Sequence, residues 1–279
     1  MTPLFITSDN LSAAWSRVYL HILDHPGKEI SPLIVSITGF DKDGRPQEDA
    51  SVRAALDAVL TGMEAVSVDD AAFTIFPQRL WLMARGDRKR LFQMYCDWAF
   101  PSYQKSNRKL NGRGLYFERL VKFGSGPESG NQLEWILSQY EKSPAIRRSM
   151  LQASVFDPAR DHVAQAQVVF PCLQHVSFLP TKNGLAMNAF YATQQLLYRA
   201  YGNFLGLAQL GAFMAHEMGM PLVQLNLTAG VEKLDGMPKT SRKLDLLTAA
   251  ARACVSAEDA AEQAARPGTA REGKAVAAA

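Results

Sequence analysis

The feature that most limits the folds open to this chain is a run of short strand-like segments in its second half, closed by one long helical stretch. Ser149–Val155, Gln167–Phe170 and His175–Leu179 read as strands. Thr181-Lys-Asn-Gly184 reads as a hairpin turn and Leu185–Tyr191 as the returning strand. Gln194 to Met218 then reads as one long helix. Ahead of this run, Leu11–Leu23 and Val52–Met63 carry apolar residues at helical spacing, with a strand at Pro32–Thr38 and a turn at Asp41–Pro46 between them. Pro77 opens a helix reaching Met83, Arg88–Trp98 is amphipathic, Leu115–Phe117 is strand-like, and Gln132–Tyr140 is helical. Helices first and consecutive strands second argue for an α+β layered domain, a mixed sheet flanked by helices, rather than a doubly wound sheet. No GxGxxG or GxxxxGK[ST] motif is present to suggest a nucleotide-binding turn of that kind. Residues 1–254 read as a single domain. Residues 255–279, rich in Ala, Glu, Arg and Gly without an aromatic, read as a disordered low-complexity tail.

Composition narrows the partners. With 30 basic and 27 acidic residues the net charge is +3, which gives no basis for a broad nucleic-acid surface but leaves room for a local anion site. Three scattered cysteines, Cys96, Cys172 and Cys254, form neither a CxxC pair nor a disulfide framework, so the cytoplasm is the expected compartment. The longest apolar stretch, Phe204–Met214, is broken by Gly206, Gln209 and Gly211, short of the roughly 18–20 residues a membrane span needs. His216-Glu217 lacks a second His four positions on, so no metal site is expected there.

The chemistry-bearing constellation centres on Pro171-Cys172, between two strand candidates. Arg147-Arg148 stands upstream, the hairpin downstream, and then Tyr201-Gly-Asn203 at the start of the apolar part of the long helix. Residue by residue, each has a structural reading as well. A lone Cys is often a small core residue, paired arginines can end a strand or helix in solvent, an Asn after Gly can cap or turn, and His175 can be a hydrogen-bonded strand residue. Together, in this order, they resemble thymidylate synthase and its relatives, the pyrimidine nucleotide hydroxymethylases. Leu80-Trp81 followed by Gly86-Asp87, and Gly114-Leu-Tyr116, add to the resemblance, which covers roughly Phe73 to Asp235.

What the resemblance implies is specific. Cys172 would add to C6 of a pyrimidine nucleotide so that C5 can attack a one-carbon electrophile. Arg147 and Arg148 would reach across a homodimer, formed through the sheet face, to the partner's phosphate. Asn203 would read the pyrimidine edge, and Tyr116, Trp81, Thr193 and Gln195 would complete the substrate site. A tetrahydrofolate derivative is the donor the resemblance implies. Several positions depart from the family pattern. Gln78 replaces a proton-relaying Glu, Leu173 a His and Ser177 a Gln. Ala192 replaces a phosphate-binding Arg, and Gln195 the Asp that holds the pterin. Arg199 stands for a Gly, and Lys233 and Asp235 for the sugar-binding His and Tyr. The sequence therefore supports two expectations: a divergent C5-modifying transferase, or an inactive nucleotide-binding or regulatory protein on the same fold. The departures leave Asp57 and Glu118 as stand-ins for the missing acid.

Overall fold

The computed structural model describes residues 3–106, 108–112, 114–164 and 171–265 of the 279-residue chain. Its centre is a seven-stranded mixed sheet. The strands are β1 (Leu4–Ser8), β2 (Glu29–Ile30), β3 (Leu33–Ile37), β4 (Gln152–Ser154), β5 (Leu173–Thr181), β6 (Gly184–Gln195) and β7 (Leu222–Lys233). They lie in the order β1-β3-β7-β6-β5-β4, with β2 paired to the end of β7. β1–β3 and β6–β7 are parallel, whereas β3–β7, β5–β6 and β4–β5 are antiparallel. The expected α+β architecture is therefore present. The expected strand at Gln167–Phe170 lies outside the described residues.

Chain direction explains the long helix after the hairpin. β5 and β6 are joined by a tight turn in which the Thr181 hydroxyl donates to the Gly184 carbonyl at 2.8 Å. β6 and β7 run parallel, and parallel neighbours need a crossover. It consists of a π-helical turn, Leu196–Ala200, leading into a helix over Tyr201–Glu217. The helical reading of Gln194–Met218 is thus corrected at its start. Gln194 and Gln195 finish β6, because each pairs in register with β7 at Glu232 and Lys233.

The helices before the crossover are α1 (Leu11–Asp24), α2 (Ala50–Thr61), α3 (Val68–Phe73), α4 (Gln78–Ala84), α5 (Arg88–Met94), α6 (Phe100–Ser106), α7 (Arg108–Asn111), α8 (Tyr116–Val121), α9 (Gln132–Lys142) and α10 (Pro158–Asp161). The crossover helix is α11, and α12 spans Asp245–Ala265. Asn10, Asp49, Ser67, Asp87 and Asn131 each accept a backbone N–H at a helix start, which is why α1, α2, α3, α5 and α9 begin where they do. The strand-like reading of Leu115–Phe117 is corrected to the first turn of α8. Gly114 at φ +106° turns the chain, and the Phe117 N–H donates to the Thr74 carbonyl at 2.8 Å instead of to a strand. The tail reading is corrected as far as Ala265. Cys254 and Glu258 on α12 are buried, and the Glu258 carboxylate receives the hydroxyl of Ser8 and the Nε of Arg17.

One sheet face carries the core. Leu33, Val35, Ile37, Leu225, Leu227, Ala229, Met187 and Tyr191 are buried there, together with nearly every side chain of the N-terminal two-thirds of α11. Helix α3 sits directly on α11, since a Cβ at Gly202 would meet Ala71 Cβ at 2.5 Å and one at Gly206 would meet the Ala72 carbonyl at 2.7 Å. On the opposite face the side chains are polar and part-exposed. Gln224 donates to Ser36 Oγ and to Asn226 Oδ1, Asn226 to Asn188, and Asn188 to Ser177, a ladder of side-chain hydrogen bonds crossing four strands. Phe190 and Phe5 are exposed on the same face.

At the far end of the sheet the burial pattern slips by one residue on neighbouring strands at once. On β6, Tyr191 is buried, Thr193 exposed and Gln194 buried, with Leu196 buried just beyond the strand; on β7, Ala229 and Glu232 are buried, with Leu234 buried just beyond it. β5 shifts register at the same level, between Leu173 and His175. The shift on β5 is a bulge-type irregularity, and it lies at the level of the residues discussed next.

Candidate functional site

Cys172 immediately precedes β5 and is held at the end of the sheet, where its carbonyl accepts the Ala192 N–H at 3.0 Å. The side chain is half-buried and no cysteine of the chain is in a disulfide. Its sulfur lies 3.7 Å from the hydroxyl of Thr193, which is exposed. Tyr116, the first residue of α8, faces the same point. Burial pushes its phenol up to about 12, the Cys172 thiolate adds to this, and Arg199 with the backbone of Leu173 and Cys172 pulls the other way. Tyr191, cross-strand from Leu173, is fully buried, and its hydroxyl has no hydrogen-bond partner among the described residues. Its pKa is raised by burial, then by Tyr116, Cys172 and Glu232. Cys172, Tyr116 and Tyr191 therefore interact electrostatically with one another.

Arg199 supplies the positive charge. It stands on the π-helical turn, which is fixed from three sides. Trp15 Nε1 donates to the Leu196 carbonyl at 3.2 Å. Asp235 accepts the Leu197 N–H at 3.1 Å. The Tyr201 hydroxyl bonds Ser12 at 2.7 Å and Glu48 at 2.8 Å. The half-buried guanidinium acts on Tyr116, on Asp235 and on Tyr103. Tyr103 is also part of the wall of a cavity of about 470 Å³ whose lining includes Ser67, Asp70, Phe73, Gln78 and Arg79. Arg199 thus acts on Tyr116 beside the cysteine and on Tyr103 in the wall of that cavity, which Gln78 lines as an amide rather than an acid.

The residues singled out from the sequence separate into two groups. Cys172, Thr193 and Tyr116 come together. Asn203 is buried on the first turn of α11, four residues beyond Arg199, and Gln195 is exposed at the end of β6 opposite Lys233. Trp81 is elsewhere. Its ring packs on Phe213 at 5.0 Å and His216 at 5.9 Å, and Phe213 lies ten residues, about 15 Å, down the helix from Asn203. Arg147 and Arg148 are exposed around the short 3-10 turn before edge strand β4. His175, on β5, has its pKa lowered by burial. Glu118 is buried behind Gly114, where burial raises its pKa against the pull of Arg160; Asp57 is held by Arg53 on the surface of α2.

Comparison with known proteins adds nothing to this geometry. No protein-family model matches the chain, and no curated protein is significantly similar to it. Among the described residues no group of three or more His, Cys, Asp and Glu is placed to hold a metal ion. Also among them, no helix is long and apolar enough to cross a membrane.

Residues that sequence reasoning passed over complete the site from below. Glu232 is 0% exposed and Gln194 2%, opposite each other on β7 and β6. Neither has a side-chain hydrogen-bond partner among the described residues, and one oxygen of Asp235 is likewise unpaired. Burial holds Glu232 well above the usual carboxylate range, reinforced by Asp235. Asp235 itself is raised by burial, against the backbone of Leu197 and Tyr198 and the charge of Arg199. An isolated buried acid leaves no local signature. The departure of Lys233 and Asp235 from the family pattern was the only hint nearby.

Proposed function

We propose that the chain is a divergent thymidylate synthase-like transferase that modifies C5 of a pyrimidine nucleotide, by methyl or hydroxymethyl transfer, with Cys172 as nucleophile. The observation that carries this reading is the half-buried Cys172 sulfur at a sheet end, 3.7 Å from the Thr193 hydroxyl and interacting electrostatically with Tyr116. A nearby positive charge favours a thiolate, and Arg199 acts on Tyr116 at the same point as the sulfur. Arg199 takes the place of the phosphate-binding cation lost at Ala192. Asn203, buried one helical turn on, suits recognition of the base edge. Arg147 and Arg148 stand clear of this cluster in the monomer, which fits a role across a homodimer packed through the polar ladder face. The 470 Å³ cavity beside Arg199 is where a second substrate such as a reduced folate would enter.

The inactive, nucleotide-binding alternative has one observation in its favour: Gln78, at the place of the proton-relaying acid, lines the cavity as an amide, which cannot exchange a proton near neutral pH. A single assay separates the two. Reversible addition of a thiolate to C6 makes the C5 hydrogen exchangeable, so pyrimidine nucleoside monophosphates incubated in D2O should lose their C5–H signal by NMR, and Cys172→Ala should abolish the loss. Thermal stabilisation by the same nucleotides without exchange supports the binding protein. Neither effect refutes both readings.

A further inference from the structure

A second concave surface shares no lining residue with the Cys172 cluster or with the cavity beside Arg199. It is an open cleft of about 800 Å³ between the end of α1, the start of β2 and the last residue of β7. His21, His25, Lys28 and Lys233 line it, and Glu29 is the one acid among the described residues there. Three parts of the chain thus bring basic side chains to one concavity, in a molecule whose net charge is only +3.

The backbone fixes these groups. His25 caps α1: its N–H donates to the His21 carbonyl at 3.1 Å, and its Nδ1 lies 2.9 Å from the same oxygen. A carbonyl only accepts, so Nδ1 carries a hydrogen and Nε2 is the nitrogen left to gain a proton. The two imidazoles stack with centroids 4.0 Å apart. The Lys28 carbonyl accepts the Leu234 N–H at 2.8 Å, which holds Lys28 beside Lys233. Glu29 pairs in register with Lys233, and their side chains meet at 3.2 Å.

The end of a helix ordinarily repels an anion, because its last carbonyls carry partial negative charge. Here Lys239 Nζ covers two carbonyls, donating to that of Ile22 and to that of His25 at 2.6 Å. Asp24, the carboxylate on the last turn of α1, is engaged by Arg252 at 2.8 Å. Two imidazoles this close repel each other once both are protonated, unless an anion lies against them. Burial and then His25 lower the His21 pKa, with Asp24 opposing and Lys239 adding to the fall.

We propose that this cleft binds a diphosphate-type anion, held by the histidine pair at the end of α1 and by Lys28 and Lys233 beside β7. Phosphate oxygens accept charge-assisted hydrogen bonds from ammonium and imidazolium groups alike. The basic groups fall into two pairs, so an anion with two adjacent charged groups uses both. Binding favours the protonated histidines, so it takes up a proton and strengthens as pH falls. The other charges facing the histidines are Asp24, Lys239, Lys28, Glu29 and Lys233. Carboxylates and ammonium groups ordinarily titrate well outside the histidine range, so the histidines carry the pH dependence.

The probe is inorganic pyrophosphate on the intact chain at low ionic strength, with inorganic phosphate as the single-group control. Calorimetry should show one-site binding of pyrophosphate about tenfold or more tighter than phosphate. Lys28→Ala and Lys233→Ala should each weaken it about tenfold, and Glu29→Gln should tighten it by releasing Lys233. All three side chains are exposed, so none of these changes disturbs the core. A nucleoside diphosphate run beside pyrophosphate distinguishes a free diphosphate from one carried on a nucleotide, tighter binding of either supporting the site. The proton readout is NMR of the histidine rings. Pyrophosphate should raise the titration midpoint of His21 or His25 by about half a pH unit or more, leaving His162, His175 and His216 in place. Absence of pyrophosphate binding, or binding that both lysine variants leave unchanged, overturns the proposal. So does a shift confined to His162, His175 or His216, which places the anion elsewhere. Phosphate binding as tight as pyrophosphate overturns the paired arrangement. None of these outcomes bears on Cys172.

Discussion

Asp161→Ala is the sharpest probe of how the Cys172 site is held. Arg119 on α8 and Asp161 on α10 form a nearly dry bidentate pair, with Nη1–Oδ2 at 2.5 Å and Nη2–Oδ1 at 2.9 Å and side chains 3% and 1% exposed. Arg119 also donates to the Val155 carbonyl at 3.0 Å, and Asp161 accepts the Asp157 N–H at 2.9 Å. The pair therefore ties the helix that starts at Tyr116 to the segment between β4 and Cys172. Removing the carboxylate leaves a guanidinium charge buried without its counterion, which typically costs about 3–5 kcal/mol. In a chain of this size that corresponds to a melting-temperature loss of roughly 6–20 °C. Urea unfolding followed by circular dichroism measures the first figure and a thermal scan the second. The sign of the double variant Arg119→Met/Asp161→Leu is more telling. With both charges gone the Val155 carbonyl and the Asp157 N–H lose these partners but no charge is stranded opposite an empty place, so it should be more stable than either Asp161→Ala or Arg119→Met alone. A loss below about 1 kcal/mol for Asp161→Ala would put the pair in the range of exposed salt bridges and refute the argument from burial. A double variant as unstable as the sum of the two singles would refute the argument from stranded charge.

Four other outcomes are expected. Alkylation at pH 8 should rank Cys172 first, because burial raises the Cys96 thiol and pushes that of Cys254 up to about 11; peptide mapping that finds Cys254 faster contradicts the site. Gly202→Ala should destabilise by about 1–3 kcal/mol despite the better helix propensity of Ala, since its Cβ would enter Ala71 and the Val68 carbonyl; a denaturation midpoint at or above the parent's would show that α3 can move. Glu232 holds more protons folded than unfolded, so its contribution to stability falls as pH rises above the unfolded carboxylate value, by up to about 1.4 kcal/mol per unit. Stability measured at pH 5, 6, 7 and 8 should fall less steeply in Glu232→Gln, and parallel curves would place the carboxyl in contact with water. Truncation after Cys254 should lower the melting temperature by several degrees, because it removes the carboxylates that hold Arg17 and Ser8; an unchanged melt would restore the reading of that segment as a tail.

Much of the architecture was legible because it was written in local patterns. The hairpin announces itself in Thr181-Lys-Asn-Gly184, and α1, α2 and α9 in their apolar spacing. β7 is less legible although Leu225, Leu227 and Ala229 alternate with Asn226 and Thr228, because no turn motif of the hairpin kind marks its start after the long helix. Tyr116 and Phe117 were read as strand for their aromatic side chains, whereas Gly114 and the bond to Thr74 decide for helix. Residues 255–265 read as disordered by composition, but Ala is the best helix former, and the buried Glu258 finds a partner 241 positions away in Arg17. Within the site, Cys172 and Thr193 were legible because a hairpin brings them together. Arg199 was flagged by its departure from the family pattern. Glu232 was not legible, since whether an acid is buried depends on tertiary packing.

The stacked slip of β5, β6 and β7 has a consequence for how this chain can change over generations. A strand can gain or lose a residue only if every side chain beyond that point accepts the opposite face. Deleting Ala192 alone would turn Thr193 and Gln195 inward and Gln194 outward, while β7 beside it kept Glu232 and Leu234 inside. Tolerated insertions and deletions in descendants of this sequence should therefore arrive in matched sets at this level of the sheet, or lie in the loops beyond it, and isolated length changes between Tyr191 and Gln195 should be missing from any functional library.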